Sequence, residues 1–317
     1  MKKGKLLLLA LAAVAVILSL MNASWIAPEP QGAMTRIANR GIAQPVRPGE
    51  GCDAARLGES DHPYIENALA GLRRAASLGA RGVAVDVQPT ADGRMVAFRD
   101  PTLDCRTNGT GPVAERTLAQ LKALDAGWGY TPDGENFPLR GRGIGAIPTV
   151  EEVLQELGSS NIVFNFVRAE PGDADLLMAA FRNAGVEPDG RIGFVGDPAV
   201  VARMQTLAPE AWAFDRAASE ACRDAYFATG WTGIVPDQCR GITVALDLEQ
   251  RWRNWGWPNR YLKRMADAGT RVMLVQGFDA NGSPVGLTDV AQLPLVPRQF
   301  NGMLWIEDMH DVGRAIR

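Results

Sequence analysis

The chain has 317 residues, of which 46% are hydrophobic and 22% are charged, and its formal net charge is −3. This apolar content is sufficient to bury the core of one large α/β domain. Acidic and basic residues are mixed along the chain, without the clustered Lys and Arg of a nucleic-acid-binding face, so no nucleic-acid partner is expected.

The N-terminus has a basic head followed by a continuous apolar run that ends near Ile26. This pattern predicts a signal anchor or a signal peptide, and the segment is long enough to span a membrane. An uncleaved anchor is favoured because Met21 stands where a cleavage site needs a small residue. By the positive-inside rule, the body would then be membrane-anchored and face the periplasm or the extracellular side. The predicted divisions are a cytoplasmic basic head at 1–5, a transmembrane segment at 6–26, a linker at 27–33 and a barrel domain at 34–317.

The chain contains four cysteines, and an even number in an exported chain is consistent with disulfides. Three pairings are open, of which Cys52–Cys105 and Cys222–Cys239 are expected because each closes a modest loop in a loop-rich region. Four buried free thiols are the alternative. The cysteines have no CxxC spacing, which argues against a zinc or redox site.

Short apolar runs alternate with amphipathic stretches after the linker, a pattern typical of parallel βαβ units. Predicted helices include 64–78, 150–157, 174–183 and 257–268. Eight strands are predicted, at 35–38, 82–87, 162–167, 192–195, 211–214, 232–235, 271–275 and 302–305. This number favours a (β/α)8 TIM-type barrel. A turn-rich insertion at about 100–148, after an early strand, would lie over the C-terminal mouth of the barrel, where such folds build their sites.

Several motifs resemble the glycerophosphodiester phosphodiesterase (GDPD) family. The resemblance spans nearly the whole predicted barrel domain. The motifs are Ile37-Ala38-Asn39-Arg40-Gly41, Tyr64-Ile65-Glu66-Asn67-Ala68, Val83-Ala84-Val85-Asp86-Val87, Ala97-Phe98-Arg99-Asp100-Pro101-Thr102-Leu103 and Trp255-Gly256-Trp257-Pro258-Asn259-Arg260.

The resemblance implies two histidines acting as general acid and base, and a divalent metal held by carboxylates. Here Asn39 and Arg99 stand at the histidine positions, and neither side chain exchanges a proton near neutral pH. Ala84 stands at the position of the first metal acid, and Asn165 falls near a later one.

Two family acids remain, Glu66 and Asp86. They would form a weak and incomplete metal site. No cofactor is therefore expected, although Ca²⁺ or Mg²⁺ would bind if these acids suffice.

The altered site would retain affinity for anions, with a guanidinium in place of the metal. Arginine suits bidentate binding of phosphate, and Asn39 would donate a hydrogen bond to it. The expected ligand-binding residues are Arg40, Glu66, Asp86, Arg99 and Asn165. The competing interpretation is that Arg99 forms a salt bridge with Asp86, Asp100 or Glu66.

His62 and His310 are the only histidines of the chain. They lie far apart in sequence, and we do not expect them to meet in one site. His62 is expected to be a loop or capping residue, and His310 a surface or helix-start residue. After the last strand, Glu307 or Asp308 would face the mouth or cap the next helix.

Three functions remain open from the sequence. The first is an envelope protein that binds a phosphodiester, a phospholipid head group or an unidentified protein without the ordinary hydrolysis. The second is an active phosphoric diester hydrolase with a rewired site. The third is a structural envelope scaffold, because a fold by itself does not establish chemistry.

Overall fold

The computed structural model describes residues 2–158, 160–167, 170–279 and 282–316. Contacts divide the chain into two compact units. The larger unit consists of Thr35–Phe214, Gly277–Leu293 and Trp305–Arg317, and the smaller of Met1–Met34, Asp215–Gln276 and Pro294–Leu304. Each candidate site residue named above lies in the larger unit.

The helices are α1 Lys2–Asn22, α2 Leu69–Ser77, α3 Leu118–Lys122, α4 Val150–Leu157, α5 Gly172–Ala184, α6 Pro198–Leu207, α7 Arg216–Thr229, α8 Asn259–Asp267 and α9 Asp311–Ala315. The strands are β1 Thr35–Asn39, β2 Gly82–Pro89, β3 Met95–Ala97, β4 Asn161–Phe166, β5 Ile192–Val195, β6 Trp212–Phe214, β7 Thr243–Asp247, β8 Arg271–Val275, β9 Gly277–Phe278, β10 Pro284–Val285 and β11 Met303–Ile306.

Parallel strands form the core of both units. In the larger unit the order is β6-β5-β4-β2-β1, with β3 antiparallel against β2. In the smaller unit β8 pairs in parallel with β7 and with β11. All eight residues of β2 are buried, as expected for a strand covered on both faces. Eight parallel strands alternating with helices are those of a TIM-type α/β fold, so the predicted fold class is confirmed.

The register of β2 brings together the residues expected at the site. Ala84 pairs with Asn39 of β1 on one side and with Val163 of β4 on the other. Two residues further along, Asp86 pairs with Asn165. Because partners in register on parallel strands project to the same face, Asp86 and Asn165 point the same way.

Residues 100–148 contain one short α-helix, α3, and a 3-10 turn at Val113–Glu115, among other turns. A capping box begins this helix, in which the Thr117 hydroxyl accepts from the Gln120 amide and the Gln120 side chain accepts from Thr117 N. Buried side chains such as Leu103, Leu121 and Tyr130 belong to one apolar cluster that also includes Ala54 and Leu57 from the loop after β1. The segment is thus anchored through its own core.

Both predicted disulfides are confirmed. Cys52 is bonded to Cys105, which links the loop after β1 to the 100–148 segment. Cys222 is bonded to Cys239 and closes a shorter loop, within the smaller unit.

One predicted strand is wrong. Residues 232–235 are not extended, because Gly230–Thr232 form a 3-10 turn that Gly233 ends with a left-handed φ of 87°. The strand of this region is β7, Thr243–Asp247, which was not predicted.

The predicted N-terminal transmembrane anchor is not supported. The helix α1 covers most of the predicted segment 6–26. Across the residues described, no helix reaches the combination of length and apolarity needed to cross a membrane.

Candidate functional site

Polar side chains gather where four strands of the TIM-type fold end. Asn39 is the last residue of β1, Asp86 and Asn165 lie in the second halves of β2 and β4, and Glu307 directly follows β11. Asn39 Nδ2 donates a 2.8 Å hydrogen bond to Glu307 Oε2, which brings the ends of β1 and β11 together. The carboxyl ends of the strands are where folds of this class place their sites.

Asp86 is held by two amide side chains. It is 3% exposed, its Oδ1 accepts a 2.6 Å hydrogen bond from Asn165 Nδ2, and its Oδ2 accepts a 3.2 Å bond from Asn67 Nδ2. Asn67 Oδ1 also accepts from the Asp86 backbone amide at 3.1 Å. Asn67 has a φ of 59°, a left-handed conformation that Asn tolerates better than most residues. The Ser283 hydroxyl extends the chain by donating to Asn165 Oδ1 at 3.2 Å.

Arg40 lies between two acids. Its Nη2 pairs with Glu307 Oε1, and its Nε lies 3.4 Å from Glu66 Oε2. The backbone supports this arrangement, because Arg40 is left-handed with a φ of 56° and its amide donates to Ala84 O at 2.8 Å. Burial alone would lower the pKa of Arg40, but Glu307 and Glu66 raise it, so the guanidinium keeps its charge.

A second buried arginine, Arg106, stands on the other side of Glu66. Its Nε lies 2.9 Å from Asp100 Oδ2 and 3.4 Å from Glu66 Oε1, and its Nη1 donates to the Tyr130 hydroxyl at 2.9 Å. Arg106 is 2% exposed. The contact of this residue with Glu66 was not predicted from the sequence, in which its position next to Cys105 is the one available signal.

Glu66 therefore has a cation on either side. Its burial would raise its pKa, yet Arg106, Arg40 and Arg99 together lower the pKa to about 2. The pKa of Asp100, by contrast, is raised, because the effect of burial outweighs the attraction of Arg106. Glu66 is consequently ionised at every physiological pH.

Arg99 forms a salt bridge, but with none of the three acids considered from the sequence. Its Nη1 lies 2.6 Å from Asp53 Oδ2, in the loop after β1. Asp53 also pairs with Arg56, and Arg106 Nη2 lies 3.7 Å from the same Oδ2. The predicted partners Asp100 and Glu66 contact Arg106 instead. Asp53 was missed because it lies in a loop with no strand or motif to place it.

The acids of this site do not fit a divalent cation. Both oxygens of Asp86 accept amide hydrogens, and Glu66 faces guanidinium groups on both sides. Ala84 offers no ligand. Within the described ranges, no group of three or more His, Cys, Asp or Glu residues is placed to hold a metal. The position between Glu66 and Glu307 is taken by the Arg40 guanidinium.

The expectation that the two histidines stay apart is wrong. The rings of His62 and His310 lie with their centroids 4.6 Å apart. Gln44 Nε2 is 3.1 Å from His62 Nδ1, and His310 Nε2 is 2.8 Å from Asp61 Oδ1. Both residues lie in loops that follow parallel strands, so the fold brings them together despite their separation in sequence.

The two acids after β11 behave differently. Glu307 faces the site, whereas Asp308 Oδ1 accepts from the Asp311 amide at the start of α9. Glu307 is thus the residue that faces the site, and Asp308 the one that binds the backbone at the beginning of α9.

Sequence comparison identifies related proteins. Residues 56–167 match the model of the glycerophosphoryl diester phosphodiesterase family. A glycerophosphodiester phosphodiesterase of Caldanaerobacter subterraneus is 36% identical over 127 residues, which are 38% of this chain and 49% of that protein. The human glycerophosphodiester phosphodiesterase 1 is 32% identical over 123 residues, 39% of this chain and 35% of that protein. Over residues 56–167 the chain is thus similar to the glycerophosphoryl diester phosphodiesterase family.

Solved structures of the glycerophosphoryl diester phosphodiesterase family share the fold. The family domain of an uncharacterized Mycobacterium tuberculosis protein superposes with a TM-score of 0.62 at 19% identity, covering 87% of this chain and 97% of that domain. An Oleispira antarctica phosphodiesterase in complex with the product sn-glycerol-3-phosphate gives 0.57 at 18% identity, covering 93% and 99%.

The sequence similarity to the family is concentrated in part of the chain. The match spans 49% of the length of the Caldanaerobacter relative and 38% of an uncharacterized protein of Mycobacterium tuberculosis that is 36% identical. The family model likewise ends at residue 167, shortly after β4. The matched segment therefore contains Glu66, Asp86, Arg99 and Asn165, whereas Asn39 and Glu307 lie outside it.

Proposed function

We propose that this protein binds a glycerophosphodiester or a related phosphate-bearing head group without the ordinary hydrolysis of the family. The observation that carries the proposal is the chemistry of Asn39 and Arg99, the two positions at which the family resemblance expects acid–base histidines. The Asn39 side chain is an amide that donates a hydrogen bond to Glu307, and the Arg99 guanidinium forms a salt bridge with Asp53. Neither group can take up a proton from a nucleophile and return it to a leaving group.

The cation arrangement supports the same proposal. In a hydrolase of this kind, a bound divalent ion would stabilise charge on the phosphoryl oxygens. Here the fixed positive charges near the candidate site include the guanidinium groups of Arg40, Arg99 and Arg106. Guanidinium groups bind phosphate oxygens but do not activate water. Binding is therefore favoured over turnover.

The ligand class follows from the relatives. An Oleispira antarctica phosphodiesterase was solved with sn-glycerol-3-phosphate, the phosphate-bearing half of a glycerophosphodiester. Arg99 is the partly exposed guanidinium of the site and so the one that an incoming phosphate would reach first. For this chain we accordingly expect affinity for glycerophosphocholine and glycerophosphoethanolamine.

One observation favours a second candidate function, a phosphoric diester hydrolase with rewired chemistry. His62 and His310 meet, and Asp61 lies 2.8 Å from His310 Nε2, which resembles the orientation of a catalytic base by an acid. Against it, burial and the neighbouring His310 lower the pKa of His62 to about 4, well below the value that suits a base near neutral pH.

The deciding experiment is hydrolysis of glycerophosphocholine by the purified protein with Ca²⁺ or Mg²⁺, together with calorimetric binding of the same compound. We expect binding without release of glycerol 3-phosphate, and weaker binding by Arg99→Ala. The control is Arg142→Ala, which removes an exposed arginine of the same 100–148 segment.

Each outcome separates the alternatives. Hydrolysis that appears only after Asn39→His, Ala84→Glu and Arg99→His are combined would support a converted binding site. Turnover by the unchanged protein that is lost in His62→Gln would establish the rewired hydrolase instead. If neither binding nor turnover is measurable and the melting temperature is unchanged by either compound, the scaffold function is favoured.

We also propose that the protein works in an oxidising compartment. All four cysteines are paired, and structural disulfides persist where thiols are not kept reduced. Alkylation of the protein taken directly from cells, followed by mass spectrometry, should find no reactive thiols. Four alkylated cysteines would exclude this localisation.

A further inference from the structure

Three guanidinium groups surround the carboxylate of Asp53. Arg99 Nη1 lies 2.6 Å from Oδ2, Arg106 Nη2 lies 3.7 Å from the same oxygen, and Arg56 Nη2 pairs with Oδ1. A cluster of this composition is what a phosphoryl group requires, because its oxygens accept several charge-assisted hydrogen bonds at once. The Asp53 carboxylate occupies the place of that anion.

Arg106 provides an independent indication that the cluster is incomplete. It is 2% exposed, and its Nη2 has no hydrogen-bond partner among the described residues, although Asp53 is near. A buried donor of this kind is costly unless an acceptor reaches it. The cluster therefore has capacity for an acceptor larger than one carboxylate.

The space beside Arg99 and Arg106 is small. The cavity that they line with Glu66 and Tyr130 has a volume of about 10 Å³, which accommodates about one water molecule. This cavity is too small for a phosphoryl group, and Arg99 Nη1 and Arg106 Nη2 already face Asp53 Oδ2. Binding of a phosphoryl group to these two atoms therefore requires that the Asp53 side chain turn away.

Covalent and backbone contacts hold Asp53 at this position. Cys52 precedes Asp53, Cys105 precedes Arg106, and the two cysteines are bonded to each other. The next residue, Ala54, is fully buried, and its carbonyl accepts from the Thr131 amide at 2.8 Å. The backbone on either side of Asp53 is thus held, whereas the Asp53 side chain is 25% exposed and can turn.

We propose that Arg56, Arg99 and Arg106 form a phosphoryl subsite and that Asp53 is an internal anion that competes for it. This inference rests on the proposed function and adds how the site is regulated: an incoming phosphate must displace the carboxylate that the Cys52–Cys105 disulfide keeps close to Arg106.

The test is binding of glycerol 3-phosphate, measured by calorimetry, to the full chain and to Asp53→Asn. The amide keeps the shape of the side chain but not its charge, so we expect binding about tenfold tighter. Asp53→Glu, which retains an anion, should bind like the unchanged protein. Glu59→Gln removes an exposed acid from the same loop and should have no effect beyond twofold or so.

A double variant tests which group causes the tighter binding by Asp53→Asn. Adding Arg99→Ala to Asp53→Asn should remove the tenfold increase, because the released guanidinium is the group that binds. If Asp53→Asn does not fold, as judged by circular dichroism, Asp53→Ser replaces it in the same comparison.

The outcomes distinguish this inference from the proposed function. Equal and measurable affinities of the unchanged protein and Asp53→Asn would overturn the inference alone. Binding by Asp53→Asn but not by the unchanged protein would support the inference and overturn the proposed binding function. Absence of binding by both would overturn both.

Discussion

Asp86 and Asn165 pair in register across β2 and β4, and the Asn165 amide donates a 2.6 Å hydrogen bond to Asp86 Oδ1. A neutral amide is a suitable partner for one buried carboxylate, whereas a second carboxylate there would need a cation between the two. The end of the sheet therefore accommodates one carboxylate at this position, and not two.

Asn165→Asp should destabilise the protein by about 2 kcal/mol at pH 7, because it places a like charge beside a buried acid and removes a hydrogen bond. Ca²⁺ should restore part of the melting temperature of this variant and leave that of the unchanged protein unaltered. Asn161→Asp, at the beginning of the same strand, is the matched control. Equal destabilisation by both variants would contradict the role given to Asp86.

Glu66 should make stability depend on acid pH. Its pKa is lowered from 4.5 to about 2, so the unfolded chain takes up a proton before the folded one does. The contribution of Glu66 is complete above pH 4.5 and lost as the pH falls towards 2, an effect of about 3 kcal/mol.

Urea unfolding of Glu66→Gln at several pH values tests this. The variant should be less stable at pH 7 and should lack the decline between pH 4.5 and 2, whereas Glu115→Gln at an exposed position should retain it. A decline of the same size in Glu66→Gln would show that other acids cause it.

His62 should make stability depend on pH in the next window. Partial burial first, and then the charge of His310, lower its pKa from 6.5 to about 4, against the attraction of Asp61 and Asp311. Between pH 6.5 and 4, His62 is protonated in the unfolded chain but not in the folded one. Stability therefore falls as the pH is lowered through this range.

Because His62 is only partly buried, solvent screening reduces this effect to about 1 kcal/mol. His62→Gln should flatten the profile in that window, and NMR titration of the His62 ring should give the lowered pKa directly. A ring that titrates near 6.5 would mean that neither burial nor His310 lowers the pKa of His62.

Gly129→Ala should disrupt the 100–148 segment. A Cβ at this position would lie 1.9 Å from the carbonyl oxygen of Cys105, and backbone atoms cannot yield as a flexible side chain can. We expect a loss of about 3 kcal/mol in urea unfolding. Gly172→Ala, at the start of α5 with nothing within 4 Å, should be neutral or slightly stabilising. Similar stabilities of the two variants would show that the segment readjusts.

Periodicity predicted the strands well where apolar residues are continuous. The strand β2 is buried along its whole length, and its residues 82–87 were predicted. The stretch 232–235 looks equally apolar in part, but glycines before and within it allow a turn, and the competing strand β7 lies beyond a disulfide cysteine. Local apolarity alone does not distinguish these two cases.

Motif positions indicated candidate residues but not their contacts. Asp86 and Asn165 are hydrogen-bonded to each other, whereas the salt bridge of Arg99 goes to Asp53. Loops determine that choice, since the 43–62 loop and the 100–148 segment approach each other through Cys52–Cys105. The meeting of His62 and His310 has the same origin. Partners that lie in different loops carry no periodic signal in the sequence.

Asn67 holds Asp86 by its backbone amide and by its carboxylate at once, from a left-handed backbone. Asp at this position would bring a like charge, Gly would lack the side chain, and a branched residue would strain the turn. Few residue types can therefore form both hydrogen bonds to Asp86 and also adopt the left-handed backbone. Laboratory evolution towards new ligands should therefore leave the residue at position 67 unchanged.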